Sequence, residues 1–440
     1  MDRSRTAREG TADGGPVGVG RAPPLLVGLA WVALATALQV ARQRGAPAYD
    51  SLWAEDGAVF LEDAVARGIP AIFTPQASYL LLGPRLLGAL ASILPLELAP
   101  LVLSVGPAAI TALLSLYVYR VSAELLTSRL GRGVVAGTMI LAPWAVDEVV
   151  NTATNLPWYL AFACFWAVLR KPSSRAEAGV STLVVAVATL STPVTALYAP
   201  VAVWRVVKAD RPLQRLIPSV FFAGLLIQLP FLFGEEPLRW GASSAFDVLP
   251  LYALRIGGVF LTGNRFADEL WRWLGWGFAY GALGAILVLV SWGAWKSDRG
   301  RRLAIVGLFG YSLVSFGAVV WIRGVTGFLV PLERTLYLAG ARYTFVPLLF
   351  LAATVTCVVE ATFAGLPRRP ARVIRLMGPT LVAALIAVNF VFVRSPGPTW
   401  NEQLSLARGR CAGVGQVVRV PIAPPGVTVM LDCGRLLRIV

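Results

Sequence analysis

The chain has 440 residues, of which 57% are hydrophobic and 14% charged, whereas about a quarter of the residues are charged in ordinary soluble domains. It contains no histidine, which excludes Ser-His and Cys-His catalytic sites and most zinc enzymes and leaves carboxylates as the available general bases. The net charge of +15 would suggest nucleic acid as a partner of a soluble protein. Here the cations cluster in short loops between apolar runs, which is typical of membrane topology and predicts no nucleic-acid partner.

The N-terminal region has a polar lead, residues 1–23, that we predict to be disordered and cytoplasmic. The apolar run from Pro24 to Ala41 then approaches the ~20 residues needed to cross a bilayer as a helix. A signal peptide has a similar outline, but no small-x-small cleavage site is followed by a soluble body. We therefore interpret this run as a retained first span. Similar runs recur as far as Arg394.

The fold prediction is an all-α, multi-pass membrane domain over residues 24–394. We expect about eleven transmembrane helices, within a range of about ten to thirteen. A small C-terminal tail over residues 395–440 follows this domain, and the expected location is the inner or plasma membrane.

Loop charge alternates along the chain. Cytoplasmic loops carry an excess of Lys and Arg, so the basic loops predict a cytoplasmic N-terminus, with the acidic or mixed loops and the C-terminal tail on the outer side. The basic loops are 120–132, 170–175, 205–215, 296–302 and 368–375, and the others are 42–78, 147–157 and 234–247.

This alternation places three ambiguous segments. Residues 180–207 have basic ends, so the Ser191-Thr192-Pro193 break is predicted to be the outer turn of a hairpin of two short spans, because proline interrupts a helix. Residues 79–119 are expected to make one net crossing, and residues 248–263 to lie at the membrane interface.

The first outer loop, residues 42–78, contains Glu55 and Asp56 at the start of a predicted helix that ends near Arg67. Phe60 and Leu61 lie one turn from Ala64 and Val65, which predicts an amphipathic helix on the membrane surface. Carboxylates at a helix N-terminus stay ionised and can act as bases. Simple capping of a surface helix explains the same two residues without any catalysis.

The second outer loop combines carboxylates, amides and aromatic rings. Amides can bind hydroxyl groups and aromatic faces can stack on sugar rings, although a membrane-interface belt also explains the aromatic residues. With one acid from the first loop added, the candidate substrate-binding residues are Asp50, Asp147, Glu148, Asn151, Asn155, Trp158 and Tyr159.

Several arginines are expected on the outer side, against the general charge trend. The planar guanidinium matches phosphate oxygens, so these residues could neutralise a lipid phosphate, and lipid headgroup contacts are the alternative explanation. The candidates are Arg85, Arg265, Arg323, Arg334 and Arg342, with Tyr343 beside the last of them.

The tail contains Cys411 and Cys433. In an oxidising outer compartment their spacing can close a disulfide loop, and two free thiols are the alternative. The strand-like stretches 416–422 and 427–431 would form a very small fold, which needs such a covalent link.

The segment from Trp53 to Gly57, with Val59-Phe60-Leu61 after it, resembles the first outer loop of the GT-C superfamily of membrane glycosyltransferases. Residues 143–159 are similar to the second outer loop of multi-spanning bacterial members. The break at 191–193, the Arg342-Tyr343 pair and the two-cysteine tail also fit the layout of that superfamily.

The resemblance implies inverting transfer of a sugar from a polyprenyl-phosphate donor to a hydroxyl of an envelope glycan or glycolipid acceptor, at the outer face of the membrane. By position in the motif, Asp56 is the first choice for the base and Glu55 the second. No cofactor is expected to be required. Some relatives bind a divalent metal, which here would need oxygen ligands from Asp50, Glu55, Asp56 or Glu148, and no such site is predicted.

Two other functions fit the composition. One is a transporter or flippase for a lipid-linked or acidic envelope precursor, and the other is an assembly protein that has the fold without the activity. Transporters commonly show inverted repeats and ionisable residues near the bilayer midplane. The acids of this chain concentrate in outer loops instead, which favours the transferase.

Overall fold

A computed structural model describes residues 24–145, 148–233, 244–324, 340–363, 380, 382–393 and 397–437. Some of the sequence-based predictions concern residues outside these ranges: the lead 1–23, the basic loop 368–375, Asp147 and Arg334. The side chain of Arg323 also lies outside the description, although its backbone is included.

The membrane domain is built from helices whose apolar runs determine their extent. A π turn over Asp56–Leu61 leads into the second of them. The helices are α1 (Pro24–Arg42), α2 (Glu62–Arg67), α3 (Leu82–Ile93), α4 (Gly106–Val121), α5 (Arg129–Leu141), α6 (Leu156–Leu169), α7 (Arg175–Thr189), α8 (Ala199–Val207), α9 (Pro212–Leu232), α10 (Ala245–Tyr252), α11 (Val259–Leu274), α12 (Trp276–Lys296), α13 (Arg299–Arg323) and α14 (Ala341–Phe363).

Within the described residues, seven helical stretches are long and apolar enough to cross a membrane. The chain is therefore a multi-pass helical membrane protein, while the predicted count of about eleven spans is not confirmed. Helix α6 shows why counting is difficult, since it has only 14 residues and nearly all of them are buried by other helices. Phe162 and Phe165 of α6 contact Phe350 of α14 edge-on, with ring centroids 5.3 and 5.0 Å apart. Such a helix sits in protein rather than in lipid.

Three of the predicted basic loops lie together at one end of the helical bundle. Arg170 forms ion pairs with Glu124 and Glu177 at 3.1 Å each, and Lys171 pairs with Asp210 at 2.8 Å. These contacts join the loops 120–132, 170–175 and 205–215. The excess of Lys and Arg in all three predicts that they lie on the same side of the membrane.

The chain reverses within residues 180–207 at the predicted break, Ser191-Thr192-Pro193, between two short helices. Helix α7 starts at this basic end, and Thr189 and Ser191 lie at the opposite end, where the Ser191 hydroxyl accepts a hydrogen bond from the amide of Gly83 at 2.9 Å. A 3-10 turn over Pro193–Tyr198 and helix α8 then return toward Lys208.

Helix α3 stays at the end opposite the basic loops. The amide of Leu82, at its start, donates to the carbonyl of Leu190 at 3.1 Å. The carbonyl of Leu94, just after its end, accepts from Arg435 of the tail at 3.1 Å. The following helical stretch, Leu96–Glu124, is long and apolar enough to make the one net crossing predicted for residues 79–119.

Helix α10 opens a longer helical stretch, Phe246–Leu274, that is long and apolar enough to cross a membrane. The hydroxyl groups of Tyr252 and Ser312 lie 2.8 Å apart inside the bundle, whereas Phe260, eight residues later, contacts Trp144 at 5.5 Å. A π turn over Ala253–Gly258 joins the two parts. The interfacial position predicted for residues 248–263 is not confirmed, because these residues belong to a helical stretch that is long and apolar enough to cross a membrane.

The C-terminal tail forms a small compact unit. It consists of the tail helix Trp400–Gly409, an antiparallel hairpin of Val417–Ile422 and Val427–Asp432, and a short helix, Cys433–Leu436. The predicted disulfide between Cys411 and Cys433 is confirmed. The tail packs on the first outer loop, so the two lie at the same end of the bundle.

Candidate functional site

A small cleft of about 90 Å³ opens at the end of the bundle opposite the basic loops. Separate parts of the chain form its walls. Glu55 and Phe60 come from the first outer loop, Tyr79 from a tight turn, Trp158 from the start of α6, and Arg342 from the start of α14. The cleft therefore joins the two outer loops that the sequence singled out.

Glu55 faces into this cleft. Its side chain is 33% exposed, and its Oε1 lies 3.7 Å from Nη1 of Arg342, whose side chain is 30% exposed. A partly solvated pair at this distance is held only weakly. Both charged groups are consequently available to a ligand.

Asp56 points away from the cleft and is completely buried. Its Oδ2 accepts a hydrogen bond from the amide of Ala153 at 3.1 Å, and its Oδ1 accepts from the amide and the hydroxyl of Thr154. Burial raises the pKa of Asp56 to about 7, although the hydrogen bonds from Thr154 and Ala153 act to lower it. Neighbouring residues of a helical turn point about 100° apart, which explains how two adjacent acids face different surroundings.

The second outer loop is arranged around the amide of Asn155. Its Nδ2 donates to the carbonyl of Glu148 and, at 3.0 Å, to the hydroxyl of Thr152. Its Oδ1 accepts from the indole N–H of Trp158 at 3.2 Å. Asn155 thus fixes the orientation of the Trp158 ring, which meets the ring of Tyr343 edge-on at 5.8 Å.

Glu148 belongs to the same site through charge. Together with Glu55 it interacts electrostatically with Arg342. The predicted binding residues Glu148, Asn155 and Trp158 therefore meet Glu55 and Arg342 at one place.

The other described candidates for substrate binding make contacts within the protein. Oδ1 of Asp50 accepts from the backbone amide and the side chain of Asn401, at the start of the tail helix. Asn151 donates to the carbonyl of Gln39 at 3.1 Å, and its φ is +56°. Tyr159 is buried against Phe345, with ring centroids 4.7 Å apart. In this structure these three residues position the loops rather than line the cleft.

Among the predicted cations whose side chains are described, Arg342 lines the cleft. Arg85 is buried behind the cleft wall, where it donates to Asp63 at 2.6 Å and lies 5.3 Å from the ring centre of Phe60. Arg265 is exposed on α11, and its backbone amide bonds to Asn389.

Backbone strain is concentrated around the cleft. The non-glycine residues with positive φ in the described part of the chain are Ala54, Ala77, Ser78 and Asn151, and all belong to the loops around it. Such conformations cost about 1–3 kcal/mol each and are often found at functional sites.

The turn of residues 76–79 was missed in the sequence, although Gln76 and Tyr79 line the cleft. Gln228 of α9 holds the following residue in place: its side chain accepts from the amide of Leu80 at 3.0 Å and donates to its carbonyl at 3.2 Å. A glutamine inside the apolar run of α9 is the signal that could have indicated a fixed turn nearby.

A metal site was not predicted for Asp50, Glu55, Asp56 and Glu148. Asp50 and Asp56 already bond to protein groups, and within the described ranges no three His, Cys, Asp or Glu side chains form a group that could hold a metal ion. Comparisons with known protein families, curated proteins and solved structures find no match to this chain.

Proposed function

We propose that the cleft transfers a sugar from a polyprenyl-phosphate donor to an acceptor hydroxyl. The observation that carries the proposal is the pairing of a solvent-accessible carboxylate, Glu55, with a guanidinium, Arg342, in a cleft walled by aromatic rings. Glycosyl transfer of this kind needs a base for the hydroxyl and a cation for the departing phosphate.

In the proposed reaction, the oxygen of the acceptor hydroxyl attacks the anomeric carbon, and Glu55 accepts the proton of that hydroxyl. The bond between that carbon and the phosphate oxygen breaks, and the lipid phosphate leaves with the electron pair. Arg342 stabilises the negative charge on the phosphate through its planar fork of donors. The rings of Trp158 and Tyr343 provide an apolar surface for the sugar.

The geometry favours Glu55 over Asp56 as the base, in the reverse of the order suggested by motif position. A base must reach the proton that it removes, and Glu55 is the acid of the pair that lines the cleft. Asp56 has its oxygens engaged by Ala153 and Thr154, so we assign it to positioning of the second outer loop.

The function is tested by incubating the purified protein with a radiolabelled polyprenyl-phosphate sugar and a panel of envelope glycan and glycolipid acceptors. We expect transfer of label, a loss of at least about 100-fold in kcat with Glu55→Gln, and little change with Glu269→Gln. Glu269 is an exposed acid on α11 and serves as the matched control. Full activity of Glu55→Gln would remove Glu55 as the base.

Substitution of Arg342 provides a second test of the proposed function. We expect Arg342→Gln to lower kcat/KM by about 100-fold or more, because one cation that stabilises the departing phosphate is lost. Arg342→Lys keeps the charge but not the planar fork of donors. Its kcat/KM should therefore lie between the values for Arg342→Gln and the unaltered protein.

The transporter hypothesis makes a different prediction for the same preparation. Protein reconstituted in vesicles would move the intact lipid-linked sugar between leaflets without transferring label. That outcome would overturn the transferase proposal.

A further inference from the structure

The hairpin of the C-terminal tail touches the first outer loop next to its acidic pair. A Cβ atom added to Gly57 would lie 2.7 Å from Cδ1 of Ile422 and 2.8 Å from Cγ2 of Val429. Non-bonded carbons normally stay at least about 3.5 Å apart. Glycine at position 57 therefore allows the hairpin to approach the loop two residues after Glu55.

Backbone hydrogen bonds join the same two parts of the chain. The carbonyl of Ala423 accepts from the amide of Ala54 at 2.6 Å, and the amide of Ala423 donates to the carbonyl of Leu52 at 3.2 Å. On the next strand, the amide of Met430 donates to the carboxylate of Glu62 at 2.7 Å. The hairpin thus holds both the residue immediately before Glu55 and the helical turns after it.

On its other side the loop is pressed against helix α3. A Cβ atom on Gly88 would overlap the carbonyl group of Phe60. Glycines at positions 57 and 88 thus let the acidic segment, residues 52–62, fit between the hairpin and α3.

The tail is fastened to the membrane domain at separate points. The indole N–H of Trp400 donates to the carbonyl of Leu96 at 2.7 Å, and Arg408 forms an ion pair with Glu97. The disulfide between Cys411 and Cys433 links the end of the tail helix to the end of the hairpin. The hairpin is therefore a fixed surface for the acidic segment.

We propose that the C-terminal hairpin is a positioning element that holds Glu55 in its orientation toward the cleft, with Gly57, Ile422 and Val429 as its positioning residues. The part concerning catalysis rests on the proposed function of Glu55. The part concerning the loop does not, since it is a statement about which contacts hold residues 52–62.

The test uses the full-length protein and the variant Gly57→Val, with Gly413→Val as the matched control. Gly413 lies in the same tail, and a Cβ added there meets no atom within 4 Å. Hydrogen exchange read by mass spectrometry is expected to increase in peptides covering residues 52–62 for Gly57→Val, and to stay at the level of the unaltered protein for Gly413→Val.

A second-site change separates positioning from general damage. Gly57→Ala combined with Ile422→Ala removes the nearer clashing atom, Cδ1 of Ile422, while Cγ2 of Val429 remains, and should partly restore slow exchange at residues 52–62 relative to Gly57→Ala alone. The paired variant Cys411→Ser/Cys433→Ser should also increase exchange there, and it introduces no bulk beside Gly57.

In the transfer assay, Gly57→Val should lower kcat by about 100-fold, since a misplacement of ~1 Å at a reacting group can have that effect, whereas KM for the donor changes less. Unchanged exchange at residues 52–62 in both Gly57→Val and the paired cysteine variant would overturn the proposal. If the unaltered protein transfers no sugar, the proposed function fails, and the exchange data still decide whether the hairpin holds the loop.

Discussion

Oδ1 of Asp56 accepts hydrogen bonds from both the amide and the hydroxyl of Thr154, at 2.8 and 2.6 Å. This contact joins the first outer loop to the second. Because Thr154 and its neighbour Asn155 both line the cleft, the buried carboxylate determines how one cleft wall stands relative to the other.

We expect Asp56→Asn to destabilise the fold. The carboxylate accepts from three donors, whereas an asparagine that keeps the two bonds from Thr154 would turn its NH₂ group toward the amide of Ala153. An unsatisfied buried donor costs about 1–3 kcal/mol, which should lower the midpoint of thermal unfolding in detergent at a pH above about 7, where Asp56 is ionised. Asp298→Asn is the control, because Asp298 caps α13 and asparagine caps helices equally well. Equal midpoints for the two variants would contradict this assignment of Asp56.

Stability should also depend on pH through Asp56. Its pKa is raised from 3.8 to about 7 by burial, so between these values the folded protein holds a proton that the unfolded chain releases. The contribution of the Asp56 carboxyl to the free energy of unfolding is then fully present below about pH 4. It declines as the pH rises to about 7 and changes little above that. The difference in unfolding midpoint between the unaltered protein and Asp56→Asn, measured from pH 4 to 9, isolates the effect. A difference that does not vary with pH would show that Asp56 is ionised throughout.

The end of helix α1 depends on Arg42, a fully buried arginine. Its guanidinium donates to the carbonyls of Ile140, Ala142, Ala145 and Phe390, at 2.8–3.0 Å. Lysine has a single ammonium group that cannot reach all four, and each buried carbonyl left without a donor costs about 1–3 kcal/mol. Arg42→Lys should therefore lower the yield of folded protein and its unfolding midpoint.

The nearby exposed residue Arg44 is the control for that change, and Arg44→Lys should behave like the unaltered protein. Size-exclusion chromatography in detergent and a thermal unfolding scan give both readouts. If Arg42→Lys had the yield and unfolding midpoint of the unaltered protein, these carbonyls would have other donors.

The arrangement of loops predicts which residues share a side of the membrane. Ala123 lies in a basic loop and Val414 lies in the tail, and both are exposed. In sealed vesicles of uniform orientation, a membrane-impermeant maleimide should label either Ala123→Cys or Val414→Cys, but not both. The free cysteines Cys164 and Cys357 are buried and give little background. Labelling of both variants from one side would overturn the sidedness.

Much of the architecture could be predicted from the sequence because it depends on local properties. The length of an apolar run determines whether it can cross a bilayer, and the charge of a short loop determines its side. These two rules predicted the return of the chain at Ser191-Thr192-Pro193 and the single crossing over residues 79–119. They also placed Cys411 and Cys433 together in the tail, where they form the disulfide.

Only the tertiary structure decided how each polar side chain is used. Glu55 and Asp56 are adjacent, with the same chemistry, yet one faces the cleft and the other is buried against Thr154. Asp50, Asn151 and Arg85 equally have the composition of a binding site but bond to Asn401, Gln39 and Asp63. Their partners are distant in sequence, so no local pattern reveals them. The apolar runs of the sequence determined that this is a multi-pass membrane protein, and long-range packing decided that Glu55 and Arg342 lie beside each other in a cleft.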